Sequence, residues 1–337
     1  MTAKDDIFQY YFYFMQERMN MFWRRYEGDS YPFSSDTILA NHKFTNVYRS
    51  TDRVSQYLIR NVIYNPSNKC LDGEDILLQI LIFKIFNKIE TWEYILKEFG
   101  SITVRTYAPS KISTLLSSRI KEEPIFSPAY MMTGSHRDYA HLNSKHEKWL
   151  NMVYKEFIVA SKFKKIIAAK SLEEVYNILN ECAFLGGFLS YQYAIDFNYS
   201  EVIDFDENSF VKAGIGAIRG IKKCFTNFGK RDFEKAIRYT HENLEKFQDR
   251  FGYRDFKSLF GRNPTLIDLQ NCFCETDKYL RVKLPKLKVD NVRIKQKFKE
   301  SKGNYPLFFP PKWGILIEND KYKQPCSPQS TQGLTLY

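Results

Sequence analysis

"AGIGAIRGIKKCF", Ala213 to Phe225, decides how this chain is to be read. Gly214 and Gly216 stand one residue apart, Gly220 follows, and Lys222 and Lys223 come just behind. Glycines and basic residues at a helix start can cradle phosphates, because the backbone approaches closely and the first N–H groups are open. The phosphates of a nucleotide cofactor and of a DNA backbone both fit that local chemistry. A dinucleotide site needs a strand, then G-x-G-x-x-G, then a helix. Here the spacing is G-x-G-x-x-x-G, and the preceding "IDFDENSFVKA" is polar, not an apolar strand. A P-loop needs Gly-Lys-Ser/Thr after its second glycine, and the stretch has none. Two readings survive. One is a helix–hairpin–helix, its incoming helix in Glu207–Lys212 and its outgoing helix in Ala217–Phe225. Ile215 then anchors the hairpin in the core, Gly220 lets the helices approach, and Arg219, Lys222 and Lys223 attend a DNA phosphate together with Gly214 and Gly216. The other is a plain helix–turn–helix corner with a glycine C-cap.

The surrounding composition favours DNA. Lys plus Arg number 50 against 39 Asp plus Glu, a formal charge of +11, which favours a polyanionic partner, nucleic acid before an anionic membrane. With 28 Phe and 23 Tyr the chain can bury a large core, so global disorder is excluded. The most apolar run, "ILLQILIFKIF" (Ile76–Phe86), is short and interrupted by Gln79 and Lys84, so no membrane span is expected. The N-terminus lacks the basic start and apolar stretch of a signal peptide. Six scattered cysteines form no CxxC pair and five histidines no HxxxH spacing. No metal site and no cofactor are expected, and the thiols read as reduced in a bacterial cytoplasm.

Helical signals dominate the chain. Periodic apolar spacing or capping residues predict helices over Asp5–Tyr26, Arg53–Tyr64, Ile76 to about Asn87, Thr91–Phe99, Ser110–Arg119 and Ser144–Ala160. Ser171 with Glu174 forms a capping-box pattern ahead of a helix that runs into the buried "GGFLSYQYAIDF". Arg231–Arg250 reads as one amphipathic helix, and Pro264 opens another through "PTLIDLQNCFCETDKYL". Beyond Lys283 the chain turns basic, then extended and aromatic at "YPLFFPPKWG", then polar. The expected architecture is mainly α: one two-lobed helical domain over residues 1–320, with the hairpin at 207–225 and a frayed tail at 321–337.

With these elements placed, the chain resembles the helix–hairpin–helix DNA glycosylase superfamily. More specifically it looks like the family of thymine-hypermodification pyrophosphorylases, or the helical domain linked to hydroxymethyluracil DNA kinases. "KFTNVYRSTDRVSQYLIR" (Lys43–Arg60), "LLQILIFKIFNKIETWE" (Leu77–Glu93), "AYMMTGS" (Ala129–Ser135), "YQYAIDFNYSEVIDFDENSFVKAGIGAIRGIKK" (Tyr191–Lys223), "FGRNPTLIDLQNCFCETDKYLR" (Phe260–Arg281) and "FFPPKWG" (Phe308–Gly314) carry the likeness. Members of such families hypermodify bases in viral DNA. Related bacterial proteins resemble antiviral glycosylases that excise glucosylated hydroxymethylcytosine from phage DNA, and the chain is similar to these in carrying no kinase domain beside the helical one.

The resemblance implies a monomeric DNA N-glycosylase that acts on double-stranded DNA with a modified base and leaves an abasic site. A carboxylate has to stabilise the oxocarbenium-like sugar and supply water. "LIDLQNCF" resembles the superfamily's aspartate context and makes Asp268 the first candidate, although it lies much further beyond Gly214 than the superfamily's spacing has it. Glu275, two turns on, and Asp277 are further candidates. Strand-cutting members carry a lysine where this chain has Ile218, so a monofunctional enzyme is implied. Phe86 and Asn87 stand where the superfamily places base-pocket residues. Asn46, Arg49 and Arg53 suit phosphates or a bulky base adduct, the two arginines sharing a helical face by i,i+4 spacing. A cap role for Asp268 and Asn87, a surface ion pair of the arginines with Asp52, and a capping turn for Asp204, Asp206 and Glu207 are the plainer readings. The alternative activity is a transferase that displaces pyrophosphate from an activated hydroxymethyl pyrimidine in DNA and installs an amino acid or polyamine. A DNA-binding module without catalysis is the third.

Overall fold

Aromatic side chains at helical spacing set the architecture. The computed structural model describes residues 1–128, 132–227, 229, 232–287, 297–298 and 306–317. Helix α1 (Asp5–Glu27) opens on Asp5 and Asp6 and closes on Arg24 and Arg25, charges that complement its dipole. It ends at Gly28, whose φ of 95° is left-handed. Its buried face includes Phe8, Tyr11, Phe12, Met15 and Met19. Helix α2 (Gly73–Phe86) is capped by Asp72, which accepts from Asp75 N, and it is buried on all sides from Leu77 onward. Then follow α3 (Ile89–Phe99), α4 (Leu172–Asn180), α5 (Gly187–Phe197), α6 (Ile215–Cys224), α7 (Phe233–Glu242) and α8 (Leu266–Lys283). Among the described residues the sheet content is one antiparallel pair, β1 (Thr2–Ala3) with β2 (Phe225–Thr226). Buried apolar residues from Ile7 to Ile315 form one continuous core, and the fold is mainly α.

Helix α8 is the spine of the part that matters for function. Tyr11 Oη donates to Leu269 O at 3.1 Å, and the Tyr11 and Phe273 rings lie 4.3 Å apart, which locks α1 onto it. On another face α6 lies almost in backbone contact. A Cβ added at Gly220 would sit 2.1 Å from Phe273 O, and one at Gly216 would sit 2.3 Å from Cys274 Sγ. The two glycines, four residues apart, are therefore the groove that lets α6 settle onto α8.

Several predicted elements differ. Residues 207–212 form no helix: Asp206 turns the chain by accepting Asn208 N at 2.9 Å and Ser209 N at 3.0 Å. Asn198 holds Phe205 through both its N–H and its carbonyl. Those local bonds occupy groups a helix would need, so the stretch before Gly214 is turn and coil. Ile215, expected in the core, is 68% exposed at the first position of α6. The helix predicted over Arg53–Tyr64 is α-helical for Arg53–Tyr57 and continues as a π-helical turn over Leu58–Ile63. Ser144–Ala160 divides the same way, into Lys145–Met152 and Val153–Val159. The helix expected over Arg231–Arg250 is two, α7 and Leu244–Phe251, broken at Asn243, with Arg231 outside the described residues. The segment after Ser171 is likewise two helices, α4 and α5, separated at Phe184 with φ 68°. The polar tail and most of the basic stretch after Leu287 also lie outside the described residues.

Candidate functional site

Three carboxylates that face the core lie on α8, and each has its own partners. Asp268 closes a capping box with Thr265. Its Oδ2 accepts from Thr265 N at 3.0 Å and Oγ1 at 3.1 Å, and its Oδ1 accepts from Arg49 N at 3.0 Å. It is buried, and burial raises its pKa against the pull of those donors. Seven residues on, Glu275 accepts from Thr45 N at 3.3 Å and pairs with Lys278 at 2.6 Å. Asn271, between them, donates to Thr45 Oγ1 at 3.0 Å. The "FTNVYRSTDR" loop thus runs along one face of α8 and brings Asn46, Arg49, Asp268 and Glu275 together. Asp277 points elsewhere. It pairs with Lys223 at 2.9 Å and with Arg281, all inside the protein.

Within that loop, Asp52 accepts from Asn46 N at 2.9 Å. Asn46 in turn accepts from Arg18 Nη2 at 2.7 Å and donates to Thr51 O. Burial pushes the Asp52 carboxyl up to about 6, with the Asn46 N–H and the Arg18 guanidinium pulling against it. Asp52 is half-buried as a residue, and its carboxyl has a pKa near neutrality. Arg49 and Arg53 do not share a face. A 3-10 turn over Arg49–Thr51 and the extended Asp52 come between them, so Arg49 is buried and Arg53 exposed.

Arg49 leads into a buried polar chain that the sequence reading missed. Its Nε donates to Gln192 at 2.8 Å and its Nη1 to Asp196 at 2.7 Å and Tyr199 at 3.2 Å. Asp196 also faces Lys84 Nζ at 3.3 Å, and Lys84 donates to Asn87 Oδ1 at 2.8 Å. Asn87 is the left-handed C-cap of α2, φ 46°, and reaches the site only through this chain. Phe86 is buried against Phe126, 5.2 Å between centroids. Gln192 and Asp196 stand four residues apart on the largely apolar α5, and Tyr199 follows just past its end, a spacing that marks a paired polar stripe inside a core. Glu207 forms a neighbouring pair with Arg262 at 2.9 Å and accepts from Thr265 Oγ1. Arg262 lies over the Trp313 ring at 3.9 Å, which ties the "FFPPKWG" segment to the site. Asp204, Asp206 and Glu207 have separate partners, and among the described residues no three His, Cys, Asp or Glu side chains gather to hold a metal.

Along α8 the half-buried positions Asn271, Cys274 and Lys278 follow one another at i, i+3, i+7, a single open strip. The Thr45 loop borders it at Asn271, and α6 borders it where Gly216 meets Cys274. On α6 the positions Ile215, Arg219 and Lys222 form a second stripe, with Ile215 and Lys222 exposed and Arg219 half-buried. Lys223, expected at a phosphate, is 2% exposed and spends its charge on Asp277. Gly214 caps α6 in an extended conformation. The arrangement is an open polar strip flanked by basic and apolar side chains, with a near-neutral carboxyl at its edge.

Residues 5–289 match the family described as "5-hmdU DNA kinase, helical domain". The chain belongs to that family. Among curated proteins it is similar to the 5-hmdU DNA kinase of Bacillus phage SP10, 25% identical over 285 residues, 80% of this chain and 44% of that protein. The chain therefore spans less than half the length of that relative. No solved structure matches it significantly. These matches correct the expectation of a DNA N-glycosylase. The relative's name is that of a kinase, a transferase and not a hydrolase of N-glycosyl bonds, and the base it names is hydroxymethyldeoxyuridine and not glucosylated hydroxymethylcytosine. The abasic product and the antiviral excision role fall with that expectation. No described helix is long and apolar enough to cross a membrane.

Proposed function

We propose that the chain is a transferase that modifies a 5-hydroxymethyl pyrimidine in DNA while the base stays on its sugar. The observation that carries this is the family match over residues 5–289, whose description names a DNA kinase of that base. Phosphorylation of the hydroxymethyl group prepares a leaving group, and displacing that group is the next chemical step. In the step proposed here the C5 methylene loses pyrophosphate with the C–O electron pair. The lone pair of a primary amine, from an amino acid or polyamine, forms the new C–N bond. Asp52 takes the amine's proton. A base works best with a pKa near the working pH, and Asp52 is the carboxyl of the strip's border that burial raises to about 6. Asp268 is enclosed by three donors and serves as the cap that seats Arg49. Arg219, Lys222 and Arg53 attract the DNA backbone.

The test is to incubate the protein with DNA that carries 5-(pyrophosphomethyl)deoxyuridine and an isotope-labelled amine mixture. The DNA is then digested to nucleosides and weighed by mass spectrometry. A labelled nucleoside formed with one pyrophosphate released per base supports the reading. An unchanged nucleoside or a free base overturns it. Asp52→Asn should slow transfer by about 100-fold and leave DNA affinity unaltered.

A further inference from the structure

A polar side chain stands at the mouth of α6. Gln270 is 3% exposed, yet its amide has no hydrogen-bonding partner among the described residues. Its oxygen and nitrogen are not fully enclosed, so the amide opens narrowly to solvent and can meet a partner that arrives from outside. Gln270 is directed at Gly214. A Cβ there would lie 3.8 Å from Gln270 Nε2 and 2.9 Å from Phe188 Cδ2, so this glycine keeps open the space between the amide and the ring. Gly214 is also the N-cap of α6 and offers no side-chain cap. The first helical bond runs from Ile218 N to Gly214 O at 2.9 Å. The N–H groups of Ile215, Gly216 and Ala217 are therefore the open donors of the first turn. One turn along, Arg219 Nε is buried without a hydrogen-bond partner among the described residues, and helical side chains lean toward the N-terminus.

We infer that Gln270 reads the edge of an extrahelical pyrimidine, beside a phosphate of the same strand held by the open start of α6 and Arg219. This rests on the reading above that the chain acts on a pyrimidine in DNA. A primary amide presents a donor and an acceptor side by side. That pair matches O4 and N3–H of a uracil-type base or, with the amide turned over, N4–H₂ and N3 of a cytosine-type base. Phe188, 44% exposed, provides the apolar wall for the face of the base. A side chain at position 214 would fill the slot between the two.

The test measures binding by fluorescence anisotropy. The probes are duplexes with one 5-hydroxymethyldeoxyuridine, one 5-hydroxymethyldeoxycytidine or thymidine, and the proteins are the wild type, Gln270→Leu and Gln270→Glu. A carboxylate only accepts hydrogen bonds, and each of the two edges presents one donor and one acceptor, so Gln270→Glu should weaken both modified duplexes by about 10-fold. Gln270→Leu should weaken both modified duplexes by about 10-fold and leave general DNA binding unchanged. Variants that melt like the wild type and keep its affinities overturn the inference. Gln270→Glu keeps the side chain's shape, so it answers the question even if Gln270→Leu misfolds. Transfer activity with unaltered affinity for the modified duplexes in both variants sinks the role of Gln270 and leaves the transferase reading standing. Weakened binding of the modified duplexes without any transfer does the reverse.

Discussion

Asp52 holds its carboxyl where ionisation is unfavourable, and pH exposes the effect. Its folded pKa of about 6 lies above the roughly 3.9 of an unfolded aspartate. Between those values the native state binds the extra proton, so this group's contribution to stability declines as pH rises from about 4 to about 6 and is then constant. Glu207 and Asp268, also raised by burial, add slope of the same sign. Comparison with Asp52→Asn isolates the one residue. The variant should lose part of that decline and unfold at higher urea than wild type at pH 7, while the two should converge below pH 4. A variant that tracks the wild type at both pH values would show that Asp52 is not held in this state. Asp196 lies between Arg49 and Lys84, and its charge, together with the hydrogen bonds those cations donate to Gln192, Tyr199 and Asn87, is what makes buried cations tolerable in the core.

At the scale of elements, the contact of α6 with α8 is the most exposed to a single methyl group. Alanine is a better helix former than glycine by about 1 kcal/mol, so on propensity alone Gly220→Ala would stabilise α6. The Cβ would meet the Phe273 carbonyl oxygen at 2.1 Å, and that backbone cannot move without moving α8. The clash decides the sign, and a loss of about 3 kcal/mol is expected. Gly216→Ala meets Cys274 Sγ at 2.3 Å, a side-chain atom that can swing aside, and should cost about 1 kcal/mol. Thermal melts of the two variants, with Gly220→Ala lower by several degrees, check the order. The same pair shows what the sequence could convey. Capping residues such as Ser171, Pro264 at the opening of α8 and the apolar run of α2 made the mainly α fold legible, because those signals are local. A G-x-G ahead of basic residues looks the same in a phosphate-binding hairpin and in a helix packed against another. What distinguishes them here is Phe273 O, more than fifty residues away along the chain, and the Asp206 turn that replaces the incoming helix. The Thr45 loop was legible as a set of polar residues, but its seat on α8 was not, since the bonds from Thr45 N and Arg49 N are backbone contacts that no residue type announces.

For the whole molecule, the formal charge of +11 is less informative than where the charges reside. Arg49, Lys84 and Lys223 are buried and paired with Asp196 or Asp277, so they contribute little to attraction at the surface. Lys222 and Arg53 are exposed, and Lys222 shares the α6 stripe with Arg219 and Ile215. Each cation that neutralises a DNA phosphate releases a condensed counterion, which steepens the fall of log affinity with log salt by about 0.9. Lys222→Ala should therefore flatten that slope by about 0.9 and weaken every duplex alike, modified or not. Lys223→Ala should leave the slope as it is and lower the melting temperature, because it removes one of the two cations that hold the buried Asp277. Adjacent lysines in one sequence motif thus make opposite predictions, and DNA titrations across a range of salt concentrations separate them. A slope that drops for Lys223→Ala and not for Lys222→Ala would move the DNA path away from the exposed stripe of α6.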